Sequence, residues 1–256
     1  MVQTQVPTQV PTRRERQREA TYDDIVRASR ELLAETGELS LRAIASRIGM
    51  TAPALYRYVA SHQELVDLVA FEIDKAATET FAAAADRQPD HDPGARLVAA
   101  TVAFRRWAMA NPREFGLVFA NPVADTSCVR RELITSDTSG HYLHGLLIDL
   151  WEERHFDHPA LEDLDPAVAE SLLDPLIPID ITRIPEGHRG LLWVFISAWM
   201  GLYGVVTLEV FGHMDPRVIQ SGAMFVSMMR EWLPRLGLAD EAERYEALLR
   251  SELAGE

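Results

Sequence analysis

Residues 191–208 read LLWVFISAWMGLYGVVTL, 18 consecutive positions without a charge. A helix on the rim of a soluble protein keeps one polar face for water, and this segment has none. Two environments remain. One is a bilayer, which takes about 20 apolar residues to cross; the other is protein on more than one side. The run is barely long enough to span, it contains Ser197, Gly201, Gly204 and Thr207, and both flanks continue as soluble helical sequence. It is therefore expected as a core helix buried by protein on more than one side, with no membrane partner.

The 256 residues suffice for one or two domains. An apolar content of 47% argues against wholesale disorder. One cysteine, Cys128, rules out an intrachain disulfide and suits a reducing compartment. It reads as an ordinary thiol rather than a redox sensor. The stretch MVQTQVPTQVPTRRERQRE lacks the apolar core of a signal peptide, so a cytoplasmic location is expected. A net charge of −14 argues at first against a nucleic-acid partner, but the charge is unevenly spread. Residues 1–60 hold nine Arg against seven acids, a balance of +2, which leaves −16 on the remainder. Such a split suggests that the two parts do different jobs.

Apolar residues recur at helical spacing, and no convincing run of alternating strand residues occurs. The expected fold class is all α. Residues 1–19, rich in Pro, Gln and Arg, read as a disordered Arg-rich arm. Order is expected from Thr21, because Thr21-Tyr-Asp-Asp24 has the form of a capping box. Ile25, Ala28, Leu32 and Leu33 then follow at helical spacing up to Gly37. A second helix follows Ser40, with Leu41, Ile44, Ala45 and Ile48 inward. A third runs from Ala52 to about Val59 behind Thr51, and a fourth opens at Ser61-His-Gln-Glu64, a second capping box. These make a three-helix helix-turn-helix domain over 20–66, followed by a larger helical domain over 67–256. In that domain helices are expected near 93–110, from Pro112, and at 139–154, 189–211, 216–233 and 240–253. An acidic, Pro-rich connection occupies 157–188.

The second and third helices are short and joined by Ile48-Gly49-Met50-Thr51, the layout of a helix-turn-helix. The outward residues Thr51, Ala52, Pro53, Tyr56, Arg57 and Tyr58 are small, aromatic or basic, with no acid. An ordinary solvated helix would carry Glu or Lys there. A helix fits the major groove of DNA, where an arginine such as Arg57 can take guanine O6 and N7 together. Ala52 and Pro53 suit thymine methyls, and the tyrosine hydroxyls suit phosphates.

Residues 21–69 resemble the DNA-binding region of the TetR family of transcriptional repressors. The match runs through Leu41-Arg-x-Ile-Ala-x-x-Ile-Gly-Met-Thr-Ala-Pro-Ala-Leu-Tyr-Arg-Tyr-Val59 and Ser61-His-Gln-Glu-Leu65. The resemblance implies Arg42 on a phosphate, Thr51, Ala52, Pro53 and Arg57 toward bases, and Tyr56 and Tyr58 toward backbone or base edges. Where the family usually has a phosphate-holding Lys, this chain has His62, which implies a weaker or pH-sensitive clamp. Arg13, Arg14, Arg16 and Arg18 would compensate by tracking the minor groove, as homeodomain arms do. Further on, Phe104-Arg-Arg-Trp-Ala-Met-Ala-Asn-Pro112, Trp199-Met-Gly-Leu-Tyr-Gly204 and Leu208-Glu-Val-Phe-Gly212 are similar to family members with a WHG C-terminal domain. Tyr203 stands at the signature histidine.

The resemblance makes residues 67–256 an effector-binding and dimerisation domain. The function implied is a homodimeric regulator, a repressor released from a palindromic operator by a small-molecule effector. Phe104, Trp107, Phe115, Phe119, Trp151 and Trp199 are the candidate pocket residues, with polar groups drawn from Arg105, Arg106, His141, His144 and Asp149. Leu192, Phe195, Trp199, Val206, Met224 and Met228 are the candidate dimer contacts. His141-x-x-His144 and His155-x-x-His158 lack cysteine partners and read as solvated or hydrogen-bonded histidines, so no metal and no cofactor is expected. No nucleophile elbow, P-loop or GxGxxG after a strand occurs, and no enzyme activity is expected. The alternative reading is a ligand-sequestering or partner-binding protein with a degenerate helix-turn-helix.

Overall fold

A computed structural model describes residues 12–120, 138–173, 175 and 179–255. Among these residues all regular structure is helical. The chain divides into two compact units, Met1–Glu72 and Ile73–Glu256.

The first unit contains α1 (Arg13–Thr36), α2 (Leu41–Arg47), α3 (Ala52–Leu55) and the opening turns of α4 (His62–Ala85). The start of α1 corrects the expected arm. Its cap is Thr12, whose hydroxyl accepts from Glu15 N at 3.2 Å while the Glu15 carboxylate accepts from Thr12 N at 2.6 Å. Thr12-Arg-Arg-Glu15 has the same spacing as Thr21-Tyr-Asp-Asp24, and the earlier box is the one that forms. Thr21 lies inside the helix and donates to the Gln17 carbonyl at 2.9 Å. Arg13–Glu19 lacks apolar periodicity, which is why it reads as disordered. Yet Arg, Glu and Gln are good helix formers, and the turns below already supply the costly nucleus. Residues 1–11 and Cys128 lie outside the described residues.

The core of this unit is Ile25, Ala28, Leu32 and Leu33 of α1, Ile44 and Ala45 of α2, Leu55, Val59, and Leu65, Val66 and Val69 of α4, all buried. Gly49, at φ +69°, turns the chain between α2 and α3 in a left-handed conformation that a side chain would strain. The third helix is a single turn, shorter than the reach to Val59 expected from sequence, and residues 56–58 continue it as hydrogen-bonded turns. Tyr22 holds that end down. Its ring meets Tyr58 edge to face at 5.6 Å, and its hydroxyl donates to the Tyr58 carbonyl at 3.2 Å. Such ring pairs contribute about 0.5–1.5 kcal/mol beyond the area they bury.

The second unit takes the rest of α4 and then α5 (Pro93–Ala110), α6 (Pro112–Phe119), α7 (Ser139–Arg154) and α8 (Pro166–Ser171). It ends with α9 (Leu191–Val210), α10 (Pro216–Ser221), α11 (Ala223–Arg235) and α12 (Ala242–Ala254). The single helix expected over 216–233 is broken at Gly222 into α10 and α11. α5 is the central rod. It is buried almost all round and packs on α7, α9 and α12. Where α5 meets α9 and α10, the buried Arg105 donates through Nε to Glu209 Oε2 at 2.7 Å and through Nη2 to the Ile219 carbonyl at 3.0 Å. Where it meets α12, Asp92 Oδ1 caps α5 by accepting from Ala95 N and also accepts from the Tyr245 hydroxyl, both at 2.9 Å. Asp74 on α4 is buried. Its Oδ2 accepts from the Ser139 N–H that opens α7 at 3.3 Å, and its Oδ1 has no partner.

Two stability predictions follow from these contacts. A Cβ at Gly94 would stand 2.7 Å from the hydroxyl of Tyr245, which is fully buried. In Gly94→Ala the gain in helix propensity is about 1 kcal/mol, against an overpacking cost of about 1–3 kcal/mol. Net destabilisation is expected in thermal unfolding, and an unchanged or higher Tm would show that Tyr245 can move aside. Burial raises the pKa of Asp74, so its contribution to stability is full below the unfolded carboxylate value of about 3.9 and is lost as pH rises through the folded value. Asp74→Asn is thus expected to raise Tm at neutral pH, by an amount that shrinks toward pH 4. A difference constant between pH 4 and 8 would contradict desolvation as the cause.

Candidate nucleic-acid interface and effector domain

The helix-turn-helix orients the predicted DNA residues unequally. Leu55 faces the core, which turns Thr51, Pro53, Tyr56 and Arg57 outward; all four are exposed, Tyr56 to 50%. Ala52 is half-buried beside them. Thr51 sits in extended backbone at the start of α3, and its side chain makes no cap hydrogen bond. Arg42 is exposed in the first turn of α2. Tyr58 is half-buried against Tyr22 rather than presented outward. His62 Nε2 lies 3.0 Å from the Leu39 carbonyl. A carbonyl only accepts, so this nitrogen carries the proton and braces the α1–α2 connection.

The weak +2 balance of the N-terminal part conceals a sorted arrangement. Arg27 pairs with Asp24 at 2.7 Å and Glu31 at 3.3 Å, and Arg47 pairs with Glu35 at 2.6 Å. Three acids of α1, Asp24, Glu31 and Glu35, are therefore taken up by Arg27 and Arg47. Arg42 and Arg57 have no acidic partner among the described residues. The spacing of Asp24, Arg27 and Glu31 announces its pairs in the sequence. The Arg47–Glu35 pair joins two helices and needed the tertiary structure.

In the second unit most of the predicted pocket aromatics pack on one another. Phe104, Trp107, Phe115, Phe119 and Trp199 meet one another and Phe81 at centroid distances of 5.3 to 6.2 Å. Trp151 stands apart, 4.9 Å from His188 and 5.6 Å from His155. Beside it His158 Nε2 and His188 Nδ1 share a hydrogen bond of 2.9 Å. A partly open cavity of about 60 Å³ lies between α5, α7, α9 and α11, bordered by Thr101, His144, Phe195, Trp199, Met228 and Met229 among others. Of the predicted pocket residues only Trp199 borders it. Of the predicted polar groups only His144 does, with Nδ1 2.6 Å from the Gly140 carbonyl. Arg105 is committed to Glu209, Arg106 to the Glu252 carbonyl at 2.9 Å, and Asp149 to Arg183 at 2.7 Å. His141 is half-buried on α7. Aromatic residues stand out in a sequence, whereas a void is a mismatch of volumes between helices that no single segment encodes.

The predicted dimer contacts also need correction. Leu192, Phe195 and Val206 are buried within their own unit and are unavailable to a second copy. Trp199 and Met228 border the cavity, and of the set only Met224 is exposed. The apolar residues that α9 does present are Met200, 52% exposed, Leu208 and Phe211. Only 28% of the most apolar 18-residue window of α9, of mean hydropathy 1.9, is buried. A groove of about 500 Å³ runs between α9 and α11 past Trp193, Ser197, Trp232 and Arg235.

Comparison with known proteins gives this arrangement a family. Residues 25–69 match the family model described as bacterial regulatory proteins, tetR family, and residues 97–232 match the tetracyclin repressor-like C-terminal domain. HTH-type transcriptional regulators of Mycobacterium bovis and Mycobacterium tuberculosis are each 28% identical over 200 residues, covering 77% of this chain and 83% of theirs. The crystal structure of the regulatory protein SCO4313 superposes with a TM-score of 0.60 at 25% identity, covering 87% of this chain and 100% of that one. The two matches span the helix-turn-helix and more than half of the chain beyond it: this protein belongs to the TetR family of bacterial regulatory proteins.

Proposed function

We propose that the protein is a DNA-binding transcriptional repressor that works as a homodimer and leaves a palindromic operator when a small molecule binds its second unit. The observation that carries the proposal is the acid-free outward side of the turn and α3. Thr51, Pro53, Tyr56 and Arg57 are exposed there, and neither Arg57 nor Arg42 is neutralised by an acid among the described residues. In this reading Thr51, Ala52, Pro53 and Arg57 meet base edges, Arg42 meets phosphate, and Tyr56 meets backbone. The −16 remainder repels DNA and confines binding to the first unit. Two copies joined through the apolar residues of α9 and α11, Met200, Leu208, Phe211 and Met224, would read half-sites about 34 Å apart.

This partly open cavity is the proposed effector site. At about 60 Å³ it is far below the roughly 300–1,000 Å³ of a typical ligand pocket, so it must open to be filled. Met228 and Met229 in its wall are side chains that repack readily. The wall offers Thr101, His144 and the Trp232 indole as polar groups and no carboxylate, lysine or arginine, which suits a largely apolar effector. α7 borders the cavity, its first N–H is held by Asp74 of α4, and α4 continues into the first unit. Movement of α7 therefore has a route to the DNA-binding helices. A 100-fold fall in operator affinity requires the effector to favour the released state by about 2.7 kcal/mol.

One observation favours the alternative, a ligand-sequestering or partner-binding protein with a degenerate helix-turn-helix. The His62 nitrogen engaged on Leu39 is unavailable as a phosphate clamp. Selection from a random DNA pool, followed by a salt titration on the winners, separates the two. An enriched palindrome with steeply salt-dependent affinity supports the repressor. No enrichment from a folded dimer supports the alternative. On the winning sequence Arg57→Ala is expected to cost about 1–3 kcal/mol and relax specificity, whereas Arg42→Ala weakens all sequences alike. Equal losses on specific and random DNA for Arg57→Ala would remove its base-reading role.

A further inference from the structure

α1 does more than complete the core, because it projects an arginine-bearing stretch past the point where core packing begins. Tyr22 is the first residue from the N-terminus that ties α1 to the recognition turn, through Tyr58. Arg18 and Arg14 precede it at intervals of four, on the same side of the helix. Arg18 Nη2 donates to the Tyr22 hydroxyl at 3.2 Å, and the guanidinium lies 5.6 Å from the centre of the Tyr22 ring. Its partner is a neutral phenol, so its charge is undiminished. Arg14 is exposed and has no acidic partner among the described residues. Glu15 has its carboxylate turned back onto Thr12 N as part of the cap, and Glu19 and Asp23, further along the same flank, pair with neither arginine among the described residues. The result is two arginines about 6 Å apart along a capped helix, tied through Tyr22 to Tyr58 at the end of the recognition turn.

This geometry changes what the N-terminal arginines can touch. An extended arm slips into a minor groove about 6 Å wide. A helix about 10–12 Å across with its side chains does not. We infer that Arg14 and Arg18 form a second DNA-contact surface, one that grips the phosphate backbone beside the recognition turn without reading sequence. This rests on the DNA-binding reading above and adds to it a positioning role for α1. Arg18, locked through Tyr22 to Tyr58, also fixes where the phosphates lie relative to the residues that meet bases.

The test is the salt dependence of binding by the full-length protein. Fluorescence anisotropy over a KCl series would use the duplex enriched from the random pool and a random-sequence duplex. Each phosphate neutralised contributes about 0.9 to the slope of log K against log salt. The double variant R14A/R18A is therefore expected to lose about 1.8 from the slope on both duplexes, and Arg14→Ala alone about 0.9. Arg16→Ala, about 200° round α1 from Arg14, is expected to leave the slope unchanged. The order of preferred sequences should be the same in all variants, and far-UV circular dichroism should show the helix intact. A slope unchanged in the double variant overturns the inference while leaving the repressor reading standing. So does an effect confined to Arg18, which would mean that Arg18 acts through Tyr22 alone. A loss that depends on A·T content beside the site overturns it in favour of minor-groove contact. Absence of binding by the unaltered protein overturns both readings together.

Discussion

The second unit is organised by a charge that the apolar helix cannot avoid burying. Leu192, Phe195, Leu202, Val206 and Glu209 fall on one side of α9 at helical spacing, and all are buried. Glu209 is tolerable there because Arg105 of α5 meets it at 2.7 Å. An isolated carboxylate in that position would cost several kcal/mol, and removing one member of such a pair costs about 3–5 kcal/mol. The pair therefore fixes the rotation of α9 about its axis. With Glu209 inward, Met200, Leu208 and Phe211 must face out, and Phe195 and Trp199 must wall the cavity. The same arginine reaches the Ile219 carbonyl of α10, so one guanidinium sets three helices at the base of the domain.

The first unit shows the opposite use of charge. Its acids and arginines lie mainly on the surface, where each pair is worth little in stability. What they accomplish is placement. Asp24, Glu31 and Glu35 draw Arg27 and Arg47 into pairs, and Arg42 at the start of α2 and Arg57 after α3 have no acidic partner among the described residues. A module of small net charge thereby acquires a directional field, whereas the strongly acidic remainder of the chain has nothing to offer a phosphate backbone.

Much of this was legible in the residues. The capping signals at Ser40 and Ser61, the glycine at 49 and the buried periodicity of Leu41 to Ile48 mark the helix-turn-helix, because each is a local rule acting within a few residues. The starts and ends of α5, α7, α9 and α12, to within two residues, and the start of α6 were legible for the same reason. The beginning of α1 was misread because two identical capping patterns compete, and only the continuity of the helix decides between them. The break at Gly222 was missed because a left-handed residue inside an otherwise helical pattern is a choice made by packing. The pocket and interface residues were the least legible. A helix apolar on every side does not announce which side its own domain will claim.

The sequence by itself determined that the chain is helical, that it carries a helix-turn-helix with a basic, acid-free outer side, and that one helix must be shielded from water on more than one side. These follow from periodicity, capping and charge, which are properties of neighbouring residues. The tertiary structure alone decided that the shielded helix buries Leu192, Phe195 and Val206 and leaves Met200, Leu208 and Phe211 outside. It also decided that the aromatics fill the core while the void opens beside them, and that Arg14 and Arg18 ride on a rigid helix. Those outcomes depend on how distant side chains match in volume and charge, and such matching exists only once the helices are packed.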